Sequence, residues 1–162
     1  MKEKKKYYLA YGSNLNVEQM KRRCPTARPV GVGFIDGYEL LFKGSKTGSY
    51  LTIEPKENSK VPVAVWEVTA GDERNLDLYE GFPRFYYKKN CKIKFKETGH
   101  SGKSRTVNAF VYIMHEDRPI GVPTMYYMET CEQGYKDFGM DEVTLWEAYY
   151  KCKEVLMGYE VI

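Results

Sequence analysis

Two prolines, Pro119 and Pro123, divide the hydrophobic patterning of this chain, and that division most constrains its fold. Before them, apolar residues come in short runs: Tyr7–Ala10, Val30–Ile35, Tyr38–Lys43, Tyr50–Ile53 and Val61–Val68, separated by Gly-rich or charge-rich turns. Runs of this length between turn residues predict strands. Tyr86–Phe95 and Thr106–Met114, flanking Glu97–Arg105, add a hairpin. After the prolines the period becomes helical. Thr124–Gln133 predicts a helix ended by Gly134, and Asp141–Met157 sets Leu145, Ala148, Tyr149, Cys152, Val155 and Leu156 on one face. Two shorter helices interrupt the strand-rich half. Val17–Cys24 has Asn16 as its N-cap and Pro25 as its stop. Ala70–Tyr79 is announced by the capping box Thr69-x-x-Asp72 and stopped by Gly81 and Pro83. The fold class is α+β: a mostly antiparallel sheet curled into a small β-barrel, with a few helices packed around it.

At 162 residues the chain is expected to form one domain spanning 1–162, with residues 1–6 as a basic tail. Charged residues make up 29% and mean hydropathy is −0.57, so a soluble, cytoplasmic protein is expected. No apolar run approaches the roughly 20 residues a membrane crossing needs. The apolar stretch after Met1-Lys2-Glu3-Lys4-Lys5-Lys6 is too short for a signal-peptide core. The 25 basic residues are interleaved with 22 acidic ones, unlike the concentrated basic face of a nucleic-acid binder. The cluster Lys88, Lys89, Lys92, Lys94 and Lys96 alternates with Cys91, Ile93 and Phe95, as the solvated face of an amphipathic strand does. No nucleic-acid or membrane partner is therefore expected. The 15 tyrosines suit either a polar cavity or a Tyr-rich core. Cys24, Cys91, Cys131 and Cys152 form no C-x-x-C pair and read as reduced structural thiols.

Two motifs fail on spacing. His100-Ser101-Gly102-Lys103-Ser104 lacks the glycine a phosphate loop needs at position 97, which is Glu97, and lies at a hairpin tip. Gly31-Val32-Gly33 meets Asp36 where a dinucleotide fingerprint needs glycine, and no helix follows. With only His100 and His115, neither a histidine-based metal site nor a Ser–His system is expected, and Ser13 is not in a G-x-S-x-G elbow.

Two segments remain. Tyr11-Gly12-Ser13-Asn14-Leu15 follows the first strand directly and opens onto a helix. Gly12 frees the backbone, Ser13 and Asn14 fix the turn, and successive N–H groups can converge into an anion-sized cradle. An ordinary strand-to-helix turn fits these five residues at least as well. The second segment, Leu76 to Pro83, ends a helix with Glu80-Gly81, with Leu76 and Tyr79 on a core-facing stripe. A carboxylate there faces the negative end of the helix dipole, and partial burial raises its pKa toward that of a useful base. A solvent-facing Glu at a frayed end is the plain alternative.

Together, Tyr11–Leu15 and Leu76-Asp77-Leu78-Tyr79-Glu80-Gly81-Phe82-Pro83 before Tyr86-Tyr87-Lys88-Lys89 resemble the gamma-glutamylcyclotransferase-like superfamily, which includes AIG2-like proteins. Pro123-Thr124-Met125-Tyr126-Tyr127 is a weaker echo, with Thr124 where members often have serine. The resemblance implies a mixed α/β barrel with one cavity. Tyr11, Gly12, Ser13, Asn14 and Leu15 would border it and offer N–H groups to a glutamyl moiety, with Glu80 as general acid/base. Tyr87, with Tyr86 nearly as good a candidate, and Tyr127 would line it as well. No cofactor or metal is implied.

The chemistry fits the residues. A gamma-glutamyl amide carries its own nucleophile, the alpha-amine, placed to close a five-membered lactam, so proximity replaces a Ser or Cys nucleophile. One carboxylate can shuttle the proton, and an N–H cradle can hold the oxyanion or the substrate carboxylate. The sequence reading is a cofactor-independent gamma-glutamyl cyclotransferase releasing 5-oxoproline from a small-molecule donor. The alternatives are a non-catalytic binding module for a small carboxylated ligand, and an interaction protein in which both segments are turns. The loops Gly44–Ser49 and Asp117–Thr124 are expected to build the leaving-group side. Oligomeric state is not legible.

Overall fold

In the computed structural model, which describes residues 4–45, 48–99 and 102–158, the strand-rich half of the chain closes on itself. The strands are β1 (Lys6–Ala10), β2 (Arg28–Lys43), β3 (Tyr50–Val68), β4 (Tyr86–Glu97) and β5 (Ser104–Met114). They run β1-β3-β2-β4-β5 around a closed barrel. Successive neighbours are antiparallel, and the closing contact, Tyr8 beside Phe110, is parallel. Closure pairs the edges that an open sheet would expose. Four helices pack around it: α1 (Val17–Arg23), α2 (Ala70–Glu80), α3 (Met125–Asp137) and α4 (Val143–Leu156). None of the described helices is long and apolar enough to cross a membrane.

The four short runs expected between Val30 and Val68 are two long strands. Gly37, at φ 78°, bends β2 where the sequence predicts a break. Opposite it the register jumps from Asp36–Lys60 to Tyr38–Pro55, so 56–59 of β3 face a single residue of β2. The charged run bulges out without ending the strand, as an insertion in one strand of a pair does. The rejected glycines Gly31 and Gly33 have a packing reason. A Cβ at Gly31 would lie 2.3 Å from the Lys96 carbonyl oxygen, and one at Gly33 2.9 Å from that of Lys94. They let β2 cross β4 closely where the two strands pair.

The barrel and the helices around it share one apolar core, with Leu9, Phe42, Leu51, Ile53, Val63, Val65 and Met114 buried. Trp66, on the other face of β3 from Val65, is packed against Phe138. On β4 Ile93 and Phe95 are buried while Lys92, Lys94 and Lys96 face solvent, as the alternation predicts. Lys6, expected in the basic tail, is instead the first residue of β1 and binds Glu73 at 2.9 Å. His100 lies outside the described residues.

Two helix ends differ from the sequence reading. α3 continues through Gly134, where a Cβ would lie 2.5 Å from the Leu15 Cβ. This glycine serves close packing and not termination. In α4 Leu145, Ala148 and Cys152 are buried, but Val155 (51% exposed) and Leu156 (38%) extend the stripe past the surface they could cover.

Candidate functional site

The chain leaves β1 at Ala10 and turns at once into a short 3-10 helix, Ser13–Leu15. The Leu15 and Asn16 N–H groups close this turn on the Gly12 and Ser13 carbonyl oxygens, each at 3.0 Å. Asn16 then caps α1, accepting the Gln19 N–H at 3.0 Å, while its amide donates to the Thr130 carbonyl of α3 at 3.2 Å. The loop is thus fixed between two helices. Gly12 leaves little room for a side chain: at φ −124° it needs no left-handed backbone, but a Cβ would stand 3.1 Å from the Tyr127 hydroxyl, which would have to give way slightly. Leu15 is no wall residue, for it is fully buried against α3.

α2 delivers the second wall. The Thr69–Asp72 capping box forms as predicted, and Asp72 also accepts the Thr26 hydroxyl at 2.8 Å. Only Asp72 and Leu76 of this helix are buried, so polar contacts orient much of it. Asp77 accepts the Tyr112 hydroxyl at 2.6 Å and pairs with Lys88 at 2.9 Å. Gly81, at φ 63°, ends the helix just after Glu80. Tyr79, expected in the core, is 42% exposed. Its hydroxyl shares a 2.8 Å hydrogen bond with Ser13, and the Arg23 guanidinium stacks 3.4 Å from its ring centroid.

Between these walls lies a cavity of about 330 Å³, within the range of small-molecule sites. Gly12, Ser13 and Asn14 border it on one side, Glu80 on another, and Tyr8, Tyr11, Tyr86, Tyr112 and Tyr127 supply much of the remainder. The Asn14 amide nitrogen donates to the Tyr8 hydroxyl at 3.0 Å and stands 3.5 Å from Glu80 Oε1, the outer limit of a hydrogen bond. Tyr11 and Tyr86 donate to the carbonyl oxygens of Tyr112 and Leu51 at 2.6 and 2.7 Å. Tyr127 accepts the Leu51 N–H at 3.1 Å.

Burial pushes the Glu80 carboxyl up to about 8, a rise that the nearby Arg23 charge partly offsets. Burial likewise raises Tyr8, Tyr11, Tyr86 and Tyr127 well above the ordinary phenol value, so these stay neutral. Glu80 is therefore the cavity group poised to exchange a proton near neutral pH.

Strand alternation decides between the adjacent tyrosines. Tyr86 points inward, whereas the Tyr87 hydroxyl donates to Glu116 outside the cavity at 2.7 Å. The loops Gly44–Ser49 and Asp117–Thr124, expected to build the leaving-group side, supply none of the described lining residues, which include Tyr50, Leu78 and Phe85. His115 is also elsewhere, its Nε2 2.8 Å from the Pro83 carbonyl oxygen. Tyr8, Tyr79, Tyr112 and Arg23 escaped the sequence reading. The tyrosine content signalled a cavity without saying which rings reach it. Among the described residues no group of three or more His, Cys, Asp and Glu side chains is placed to hold a metal.

Residues 8–131, from the first cavity tyrosine to the middle of α3, match the family model described as gamma-glutamyl cyclotransferase, AIG2-like. The chain belongs to this family. A human gamma-glutamylcyclotransferase is similar, 29% identical over 140 residues that cover 82% of this chain and 71% of the human one. The mouse gamma-glutamylcyclotransferase is 27% identical, covering 83% and 72%. In fold, a solved gamma-glutamyl cyclotransferase superposes with a TM-score of 0.68 at 24% identity, covering 93% of this chain and 87% of its own. A yeast structure described as a cyclotransferase specific to glutathione shares the fold, with a TM-score of 0.65 at 12% identity over 98% of this chain and 99% of its own. The five-stranded barrel with surrounding helices is thus the fold of this family.

Proposed function

We propose that this chain is a cofactor-independent gamma-glutamyl cyclotransferase, converting a gamma-glutamyl amide to 5-oxoproline and a free amine or amino acid. One observation supports the reading: Glu80, its carboxyl pushed up to about 8, lines the same small cavity as Gly12, Ser13 and Asn14, with its Oε1 3.5 Å from the Asn14 amide nitrogen. The Glu80 carboxylate takes a proton from the substrate alpha-ammonium. The freed amine attacks the side-chain carbonyl, and the new C–N bond closes the five-membered ring. Glu80 then gives its proton to the leaving nitrogen as the old amide bond breaks. The second proton shed by the attacking nitrogen also ends on the released amine, so the products are the neutral lactam and an ammonium. N–H groups at the start of the 3-10 turn have no partner within it and are suited to the negative charge of the oxyanion or of the substrate carboxylate. Tyr8 and Tyr127 each accept an N–H, whereas the hydroxyl protons of Tyr11 and Tyr86 are committed to the main chain.

The test is 5-oxoproline release by the purified protein from gamma-glutamyl amino acids, isopeptides and amines. Glu80→Gln should retain the fold and lose the activity. Thermal stabilisation by these compounds without turnover would instead support a binding module.

A further inference from the structure

Asn14 meets Glu80 through an amide whose two ends have nearly the same shape and opposite hydrogen-bonding character. With its oxygen toward Glu80 it would repel the carboxylate; with its nitrogen there it donates to it. Nothing in Asn14 itself makes that choice. Its oxygen accepts from Arg23 Nη1, and a guanidinium has donors only. The amide nitrogen is thereby turned toward Tyr8 and Glu80. Arg23 is held in place from three sides: Nη2 donates to Gln19 Oε1 at 2.9 Å, the guanidinium lies on the Tyr79 ring, and its main-chain carbonyl accepts Asn75 Nδ2 at 3.0 Å. Through Tyr79 it is linked in turn to Ser13.

We propose that Arg23 is a positioning residue of the site: it fixes which end of the Asn14 amide faces Glu80 and supplies the cationic charge that acts on that carboxyl. The inference rests on Glu80 being the proton carrier. The groups facing Glu80 are Tyr8 and Tyr11 at the end of β1, Tyr79 on α2, Tyr86 on β4, Tyr112 on β5, and Arg23 on α1. Burial keeps the tyrosines neutral near pH 7 and leaves Arg23 as the charge in this set. Without it the carboxylate loses both a fixed donor and an opposite charge, and the proton is held to higher pH.

The experiment compares the parent with Arg23→Met and Arg23→Lys, and reads kcat and KM for 5-oxoproline release between pH 6 and 10. For Arg23→Met the acidic limb of the profile should move up by roughly one pH unit, the effect of one nearby charge. At pH 7 kcat should fall about tenfold, much of it recovered at high pH, with KM changed far less. Arg23→Lys, which keeps a charge and a donor, should bring the limb back toward the parent. An acidic limb that stays in place in Arg23→Met, whatever the loss of rate, overturns the proposal. The Glu80 carboxyl carbon, titrated by NMR in glutamate-labelled protein and assigned with Glu80→Gln, gives the same comparison without turnover. If no donor is cyclised, the proposed function fails by the first measurement, while an upward move of the titration in Arg23→Met still upholds the role of Arg23.

Discussion

Helices α2 and α4 solve opposite problems. α4 has an apolar stripe, packs it against the barrel and contributes no cavity residue. α2 buries only Asp72 and Leu76, yet its last turn brings Leu78, Tyr79 and Glu80 to the cavity. One is held by packing, which tolerates sliding along a stripe. The other is held by directional polar contacts at both ends: the Thr69–Asp72 box with Thr26 at its start, and Tyr112 and Lys88 on Asp77 near its finish. A carboxyl group that must face one small cavity needs direction more than area, because hydrogen bonds fix an angle that apolar burial does not.

Substitutions in the two helices should separate rate from stability, and the largest effect is expected at the end of α2. Glu80→Gln should lower 5-oxoproline release by roughly a thousandfold with an unchanged circular dichroism spectrum. It should also reverse sign in stability. The folded parent keeps the Glu80 proton up to about pH 8, whereas the unfolded chain releases it in the ordinary carboxylate range. Parent stability therefore falls as pH rises through that window, and Glu80→Gln should escape the loss. The gap, on the order of a few kcal/mol, should open above about pH 5, level off above about pH 8, and be read from denaturant midpoints. A parent that stays as stable as Glu80→Gln across this range would show that the carboxyl is not desolvated.

In α4, Leu145→Ala should cost about 2–5 kcal/mol by urea unfolding while activity per folded molecule stays at the parent level. A fall in kcat of the folded fraction would show that packing also aims the site. Asp77→Asn should do the reverse: kcat should drop about tenfold with about 1–2 kcal/mol lost, because the Tyr112 and Lys88 contacts weaken while the core is untouched. The smallest change is expected from Thr69→Ala, about 1 kcal/mol from loss of the cap, checked by thermal melting.

Much of this was legible in the residues. The Thr69-x-x-Asp72 and Asn16 caps form where their sequence places them, because capping depends on neighbours three positions away. The long hairpin β4–β5 follows from alternation and a turn. Other features were hidden by one cause: the partner lies far along the chain. Gly134 resembles a helix stop until Leu15 is seen against it, and Gly31 resembles half a motif until β4 crosses it. Tyr79 fits a core stripe by spacing, but Ser13 and Arg23 hold it at the surface. Tyr87 fits the family pattern slightly better than Tyr86, but the strand face gives the cavity to Tyr86.

The sequence by itself determined the element types and the caps, since these depend on local hydrogen bonding and short-range periodicity. The sharing of one cavity by Tyr11–Leu15 and Leu76–Pro83 was implied only by the family resemblance. Tertiary structure decided what that cavity is worth chemically. Barrel closure sets Tyr8, Tyr86 and Tyr112, from β1, β4 and β5, around one carboxyl group and desolvates it enough to raise its pKa. Desolvation, the cause of the raised Glu80 pKa, belongs to the surroundings of a group and not to its neighbours in the chain.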